Sequence, residues 1–277
     1  MEPSPLQKKT IAIAYDFDGT LAPGNMQEYN FIPDLNMDKK EFWEEANRLA
    51  KKNDMDEILA YLSLMLTKAK EKNIPVLEET FMQYGRKITF FQGVETFFER
   101  VNQYVKTKGL CVEHHIISSG IREMIKGTGI AKYFKNIFAS GFLYNQNGEA
   151  CWPAVAVNYT NKTQFLFRIN KGINNTYDNT LINKIVPEAE KPVPFSNMIY
   201  IGDGETDVPA MKMVSMQGGY AIAVYHKERK QTDILHNERA NYLIPADYRE
   251  GSPLDYIIKN IIDKIASEQN LLGLRSV

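Results

Sequence analysis

Two short apolar runs, Ile11-Ala12-Ile13-Ala14-Tyr15 and Met198-Ile199-Tyr200-Ile201, each end at an acidic loop. The first loop is Asp16-Phe17-Asp18-Gly19-Thr20 and the second is Gly202-Asp203-Gly204-Glu205-Thr206-Asp207. Runs this short, apolar at every position, suit strands buried on both faces of a parallel sheet. A third run, Cys111 to Ile117, stops at Ser118-Ser119-Gly120, where a helix is expected from Ile121. Ala221 to Tyr225 reads as a fourth strand, Leu243-Ile244 as a short fifth, and Phe138 to Phe142 as a further one. Gln146-Asn147-Gly148 has the composition of a hairpin turn. Strands alternating with helical stretches argue an α/β fold, an open Rossmann-like parallel sheet with helices on both faces. Ligands of such sheets gather at the carboxyl ends of the strands, where these polar loops fall.

Between residues 25 and 88 the pattern changes. Phe42, Trp43, Ala46, Leu49 and Ala50 recur at helical spacing, as do Ile58, Leu59, Leu62, Met65 and Leu66, and Pro75 precedes a third helix near Leu77 to Tyr84. A block of helices without a strand reads as an insertion. The expected organisation is a core of residues 1–24 plus 89–277 and an inserted helical cap of residues 25–88.

If the strands are neighbours, four carboxylates and a serine hydroxyl converge on one edge of the sheet. Crowded carboxylates repel and call for a cation, and oxygen donors without nearby His or Cys favour Mg2+. Cys111 and Cys151 lack zinc spacing and read as buried, reduced thiols. The formal net charge of -1 leaves no strong field for nucleic acid or an anionic membrane. The apolar run from Ile11 is too short for a signal or membrane segment, so a cytoplasmic protein is expected, with its oligomeric state open. His114 and His115 lie within a strand and read as structural. The Phe42, Trp43 and Met/Leu stripe reads as cap core, Lys227 to Lys230 as a surface turn, and Arg48, Arg86 and Arg122 as exposed helix charges that could also reach an anionic substrate.

The six residues Asp16-Phe17-Asp18-Gly19-Thr20-Leu21 resemble the first motif of the haloacid dehalogenase-like hydrolases, which are mostly phosphatases. Ile116-Ile117-Ser118 is similar to their second motif, and Gly202-Asp203-Gly204-Glu205-Thr206-Asp207 to their fourth. Helices placed after the first motif, with a return at Phe91-Gln92-Gly93-Val94, resemble the phosphoserine-phosphatase-like members with a type-1 cap.

The resemblance implies a magnesium-dependent phosphatase acting on a small phosphorylated metabolite through an aspartyl-phosphate. Asp16 would be the nucleophile and Asp18 the general acid and base. Ser118, with the N–H groups of Ser119 and Gly120, would bind phosphate together with a lysine. Lys162, at an expected helix start, is preferred for that lysine over Lys171, near the same helix's end. Mg2+ would be held by Asp16, Asp203 and the Asp18 carbonyl, with Thr20 and Asp207 behind them. Phosphotransfer to an alcohol and a catalytically retired binding protein are the alternatives. Asp18 disfavours carbon–halogen cleavage, since dehalogenases of the superfamily do not carry it.

Overall fold

The computed structural model describes residues 10–226 and 240–274. In chain order it contains β1 (Thr10–Tyr15), the single turn α1 (Phe31–Asp34), α2 (Lys39–Asn53), α3 (Glu57–Glu71), α4 (Glu78–Gly85) and α5 (Val94–Thr107). There follow β2 (Cys111–Ile121), α6 (Arg122–Gly127), β3 (Phe134–Tyr144), β4 (Ala150–Val155) and α7 (Lys162–Asn170). The last elements are β5 (Met198–Gly202), α8 (Val208–Met216), β6 (Tyr220–Tyr225), β7 (Tyr242–Pro245) and α9 (Pro253–Leu274). The strand order is β4-β3-β2-β1-β5-β6-β7. Every pairing is parallel except β3 with β4. This is the expected α/β sheet, with β1 at its centre, β2 on one side and β5 on the other.

Side-chain alternation along β1 divides the core. Ile11, Ile13 and Tyr15 join Ile116, Ile199, Ile201 and the faces of α5 and α9, whereas Ala12 and Ala14 join Tyr200, Ala221 and the faces of α7 and α8. Large residues on one side and alanines on the other let α7 and α8 approach the sheet closely. That approach carries Lys162, on the first turn of α7, to the end of β1.

The helices after β1 have sequence-encoded starts. Asp38 caps α2 through Lys40 N at 2.8 Å, and Asp56 caps α3 through Ile58 N at 2.9 Å. Their apolar faces belong to the same core as the sheet: Phe31, Phe42, Leu62 and Phe81 are continuous with Ile13 and Tyr15. Each such side chain is worth about 1.5–3 kcal/mol when buried, so this segment contributes to the stability of the whole. α4 lies directly on α6 because both helices present glycine at the crossing. A Cβ on Gly85 would stand 1.9 Å from the Met124 carbonyl oxygen, and one on Gly127 2.0 Å from that of Met82. Phe91 N donates to the Leu21 carbonyl at 3.0 Å, so the chain leaves and rejoins the sheet edge at adjoining points.

Several expectations need correction. β2 does not stop at Ile117 but runs to Ile121, and the helix starts at Arg122. β3 extends from Phe134 to Tyr144, and β4, which sequence pattern did not reveal, completes a hairpin around the expected turn. β4 is an exposed edge strand with Pro153 in it, so it lacks the apolar run that marks the buried strands. Cys111 and Cys151 are both exposed rather than buried. The first precedes the buried part of β2, and the second lies on the solvent side of the edge. The expected surface turn at Lys227 to Lys230 lies outside the described residues.

His114 and His115 are both buried. His114 bonds Tyr15 Oη at 2.9 Å and Asn102 Oδ1 at 3.0 Å, and burial, then the neighbouring His115, lowers its pKa from 6.5 to about 3. The unfolded chain therefore binds a proton below about pH 6.5 that the native state refuses, so stability is lost as pH falls through that range. We expect the urea midpoint of the wild type to drop more between pH 7.5 and pH 5 than that of His114→Gln. Equal drops would show that His114 does not carry the effect.

Candidate active site

β1, β2 and β5 end side by side, and the loops that follow them enclose a cavity of about 280 Å3. Asp16 begins the first loop, anchored by its N–H to the Ile201 carbonyl of the neighbouring strand at 2.9 Å. The turn after it closes through Gly19 N to the Ala22 carbonyl at 2.7 Å. Gly19 is required here: its φ is +78°, and a Cβ would lie 2.1 Å from an Asp203 carboxylate oxygen. This contact between the first and last motifs is what sets Asp203 beside Asp16. Thr20, fully buried, reaches Asp203 Oδ1 at 3.4 Å, while Tyr248 donates to the Thr20 carbonyl at 2.8 Å and pins the loop from behind.

Lys162 is fully buried and joins two of the carboxylates. Its Nζ lies 3.0 Å from Asp16 Oδ1 and 2.7 Å from Asp207 Oδ1. Burial works against its charge, but the attraction of Asp16 and Asp207 outweighs it and holds the ammonium protonated. A lysine on the first turn of a helix opposes the helix dipole, so this placement is retained by its anionic partners. Lys171 is elsewhere, with its ammonium on the carbonyls of Ile182 and Lys184.

Asp207 has its acceptor capacity filled. Oδ1 takes Lys162 and the Tyr200 hydroxyl, the latter at 2.7 Å; Oδ2 takes the N–H groups of Asp203 and Gly204 at 3.2 and 3.1 Å. One oxygen each from Asp16, Asp203 and Asp207 lie within 4.8 Å of one another. With Asp207 committed to four donors, Asp16 and Asp203 are the pair a cation could bridge. Burial raises the Asp16 pKa to about 6, an effect moderated by Lys162 and reinforced by Asp207. Asp18 is raised by burial and then by Asp16, although its Oδ1 accepts Met26 N–H at 2.9 Å.

Ser118 is fully buried, and its Oγ accepts the Gly120 N–H at 3.0 Å. The expected helix start is absent at Ser119 and Gly120. Instead β2 bulges against β3: Ser118 pairs with Ala139 and Ile121 with Ser140, leaving Ser119 and Gly120 out of register to line the cavity. A bulge thus turns backbone toward the site, the role expected of a helix terminus. Glu205 is exposed at the rim, while Arg48, Arg86 and Arg122 pair with Glu44, Glu79 and Glu123 and do not line the cavity.

The remaining wall comes from the helical segment: Gln27, Trp43, Ile58 and Tyr61. Sequence reasoning assigned Trp43 to the cap core and passed over Gln27, Tyr61 and Tyr200. Helical periodicity cannot separate a side chain at the edge of an apolar stripe from one inside it. Only for Tyr200, two residues before the acidic loop in a buried strand, was there a local signal, since a buried phenol needs a partner.

A family model described as haloacid dehalogenase-like hydrolase matches residues 13–212, spanning every loop of this site. The chain belongs to that family of hydrolases. An uncharacterized protein of Borreliella burgdorferi is 30% identical over 284 residues, covering 92% of this chain and 98% of its own. Among solved structures, a HAD family hydrolase from Salmonella enterica serovar Typhi has a TM-score of 0.58 at 18% identity, covering 94% of this chain and 73% of its own. A substrate-bound phosphoserine phosphatase has a TM-score of 0.57 at 16% identity, covering 90% of this chain and 99% of its own. At such identities these two structures share the fold. No described helix is long and apolar enough to cross a membrane.

Removing the Lys162 charge leaves two carboxylates buried without their counterion, a loss of about 3–5 kcal/mol. We expect Lys162→Met to lower unfolding free energy on that scale at pH 7.5. Without the lysine the buried Asp16 loses the attraction that moderates its raised pKa, so the deficit should shrink as pH falls toward 5. Denaturant melts at the two pH values check this; a deficit that does not depend on pH would locate the cost in packing.

Proposed function

We propose that this hydrolase is a magnesium-dependent phosphatase that cleaves a small phosphomonoester through an aspartyl-phosphate on Asp16. The observation that carries the reading is the buried Lys162 bridging Asp16 and Asp207 at the mouth of β1, beside Asp18 and Asp203. Lysine neutralises phosphate charge while fixing the rotamer of the attacking carboxylate, and a fixed carboxylate makes a competent nucleophile. The donor set fits magnesium: carboxylate oxygens of Asp16 and Asp203 with the Asp18 carbonyl, and no nitrogen or sulfur ligand among the described residues. Bound there, magnesium would neutralise phosphoryl charge and align the ester with Asp16.

Asp18 supplies the proton balance. Its raised pKa favours the carboxylic acid, which can protonate the departing alkoxide; the resulting carboxylate then takes a proton from the water that hydrolyses the acyl phosphate. Met26 N–H holds that carboxyl in place on the side facing the helical segment. The Ser118 hydroxyl and the bulged Ser119-Gly120 backbone offer donors to phosphate oxygens once the Ser118–Gly120 bond opens.

The segment from residue 25 to 88 serves, in this reading, as a cap that supplies the substrate-facing wall and excludes water. Its closely placed entry and exit, at Leu21 and Phe91, support an insertion into the core. A small soluble phosphorylated metabolite fits the cavity, and a cytoplasmic setting fits the chain's composition.

Asp16→Asn keeps shape and removes the nucleophile, so we expect p-nitrophenyl phosphate turnover to fall by several orders of magnitude with the fold retained. Excess chelator should silence the wild type and magnesium, not calcium, should restore it. A folded Asp16→Asn protein of wild-type activity would overturn the mechanism. Asp18→Asn should impair alkyl phosphates more than aryl phosphates, because nitrophenolate leaves without protonation; equal losses would remove Asp18 from the acid role.

A further inference from the structure

Resting on the phosphatase reading, we infer that the leaving group of the substrate is a short amino alcohol whose protonated amine is received by Gln27 against the rings of Trp43 and Tyr61. Gln27 lies one residue from Met26, whose N–H holds Asp18, so it sits on the side of the cavity where the alkoxide departs. It is buried to 2% exposure, yet its Oε1 has no hydrogen-bond partner among the described residues.

The neighbouring hydroxyl does not serve that amide oxygen. The Tyr61 hydroxyl has one proton, and it goes to the Ser119 carbonyl at 2.6 Å, a group that can only accept. Tyr61 therefore has no proton to offer the Gln27 carbonyl oxygen. Gln27 lines the cavity, and its carbonyl oxygen is buried without a donor among the described residues, which is costly. It selects a ligand bearing a donor.

The surrounding wall selects the charge of that donor. Trp43 spends its only polar atom on Glu28 Oε1 at 2.9 Å, and Tyr61 spends its hydroxyl as above, so both give the cavity ring surface. Their centroids are 5.6 Å apart at an interplanar angle of 69°. Ile58 and the rim carboxylate Glu205 complete this side, and no Lys, Arg or His among the described residues lines the cavity. Aromatic faces, an amide oxygen and a carboxylate attract an ammonium and offer nothing to a second anion. The overall reaction is then hydrolysis of an aminoalkyl phosphate, water entering as the ester oxygen leaves with the amino alcohol.

The test compares kcat/KM for phosphoethanolamine, glycerol 3-phosphate, phosphoglycolate and p-nitrophenyl phosphate with magnesium present, in wild type, Gln27→Leu and Gln27→Glu. We expect phosphoethanolamine to exceed glycerol 3-phosphate by roughly tenfold or more, the scale of one hydrogen bond to a charged group, with phosphoglycolate poorest. Gln27→Leu should erase that preference, and Gln27→Glu, which keeps an oxygen and adds charge, should preserve or raise it. Should Gln27→Leu fail to fold, the direction of change in Gln27→Glu decides. Preference for glycerol 3-phosphate or phosphoglycolate, or losses in Gln27→Leu equal for all substrates, would overturn the inference while aryl phosphate turnover keeps the phosphatase reading. No turnover of any phosphate would overturn both.

Discussion

The ion triad of Asp16, Lys162 and Asp207 is the constraint on which the rest of the site depends. Three charges removed from water are tolerable only when every one is paired. Lys162 therefore has to meet Asp16 and Asp207 together, which fixes the position of α7 relative to the ends of β1 and β5. Asp207 can hold its lysine only because Tyr200 and two backbone N–H groups fill its remaining lone pairs. The alanine face of β1 and the acidic loop after β5 thus serve one arrangement: the first brings α7 close, and the second supplies its partner.

A second constraint acts from the opposite side. The helices between β1 and α5 share the core of the sheet rather than forming one of their own, through Phe31, Phe42 and Phe81. α4 is seated on α6 by two glycines, and Phe81 stacks on Phe142 of the β3–β4 hairpin with centroids 5.5 Å apart. The cavity wall built from Gln27, Trp43 and Tyr61 is accordingly held on rigid elements at both ends. In the proposed phosphatase, substrate discrimination would rest on side-chain chemistry at a preformed wall.

The chemistry end and the discrimination end were not equally legible in the sequence. Asp16, Asp18, Asp203 and Asp207 lie in two contiguous loops at the ends of apolar runs, and short-range spacing exposes them. Lys162 was legible more weakly, as a lysine at an expected helix start, with the rival Lys171 near the same helix's end placed by the fold on backbone carbonyls. Ser119 and Gly120 were expected at a helix terminus and lie instead on a bulge, because local sequence does not report how β2 registers against β3. Gln27, Trp43 and Tyr61 come from separate turns and helices, and no local pattern links them.

By itself, then, the sequence determined the buried strands, the acidic loops that end them and the family those loops signify. These follow from hydrophobic burial and covalent proximity, which act within a few residues. Tertiary structure alone decided that Asp207 is saturated, that Cys111 and Cys151 face solvent, and that the Gln27 carbonyl is left without a partner among the described residues. The physical reason is that whether a polar atom is satisfied depends on groups far away in sequence: Tyr61 withholds its proton from Gln27 only because the folded chain sets its hydroxyl on the Ser119 carbonyl.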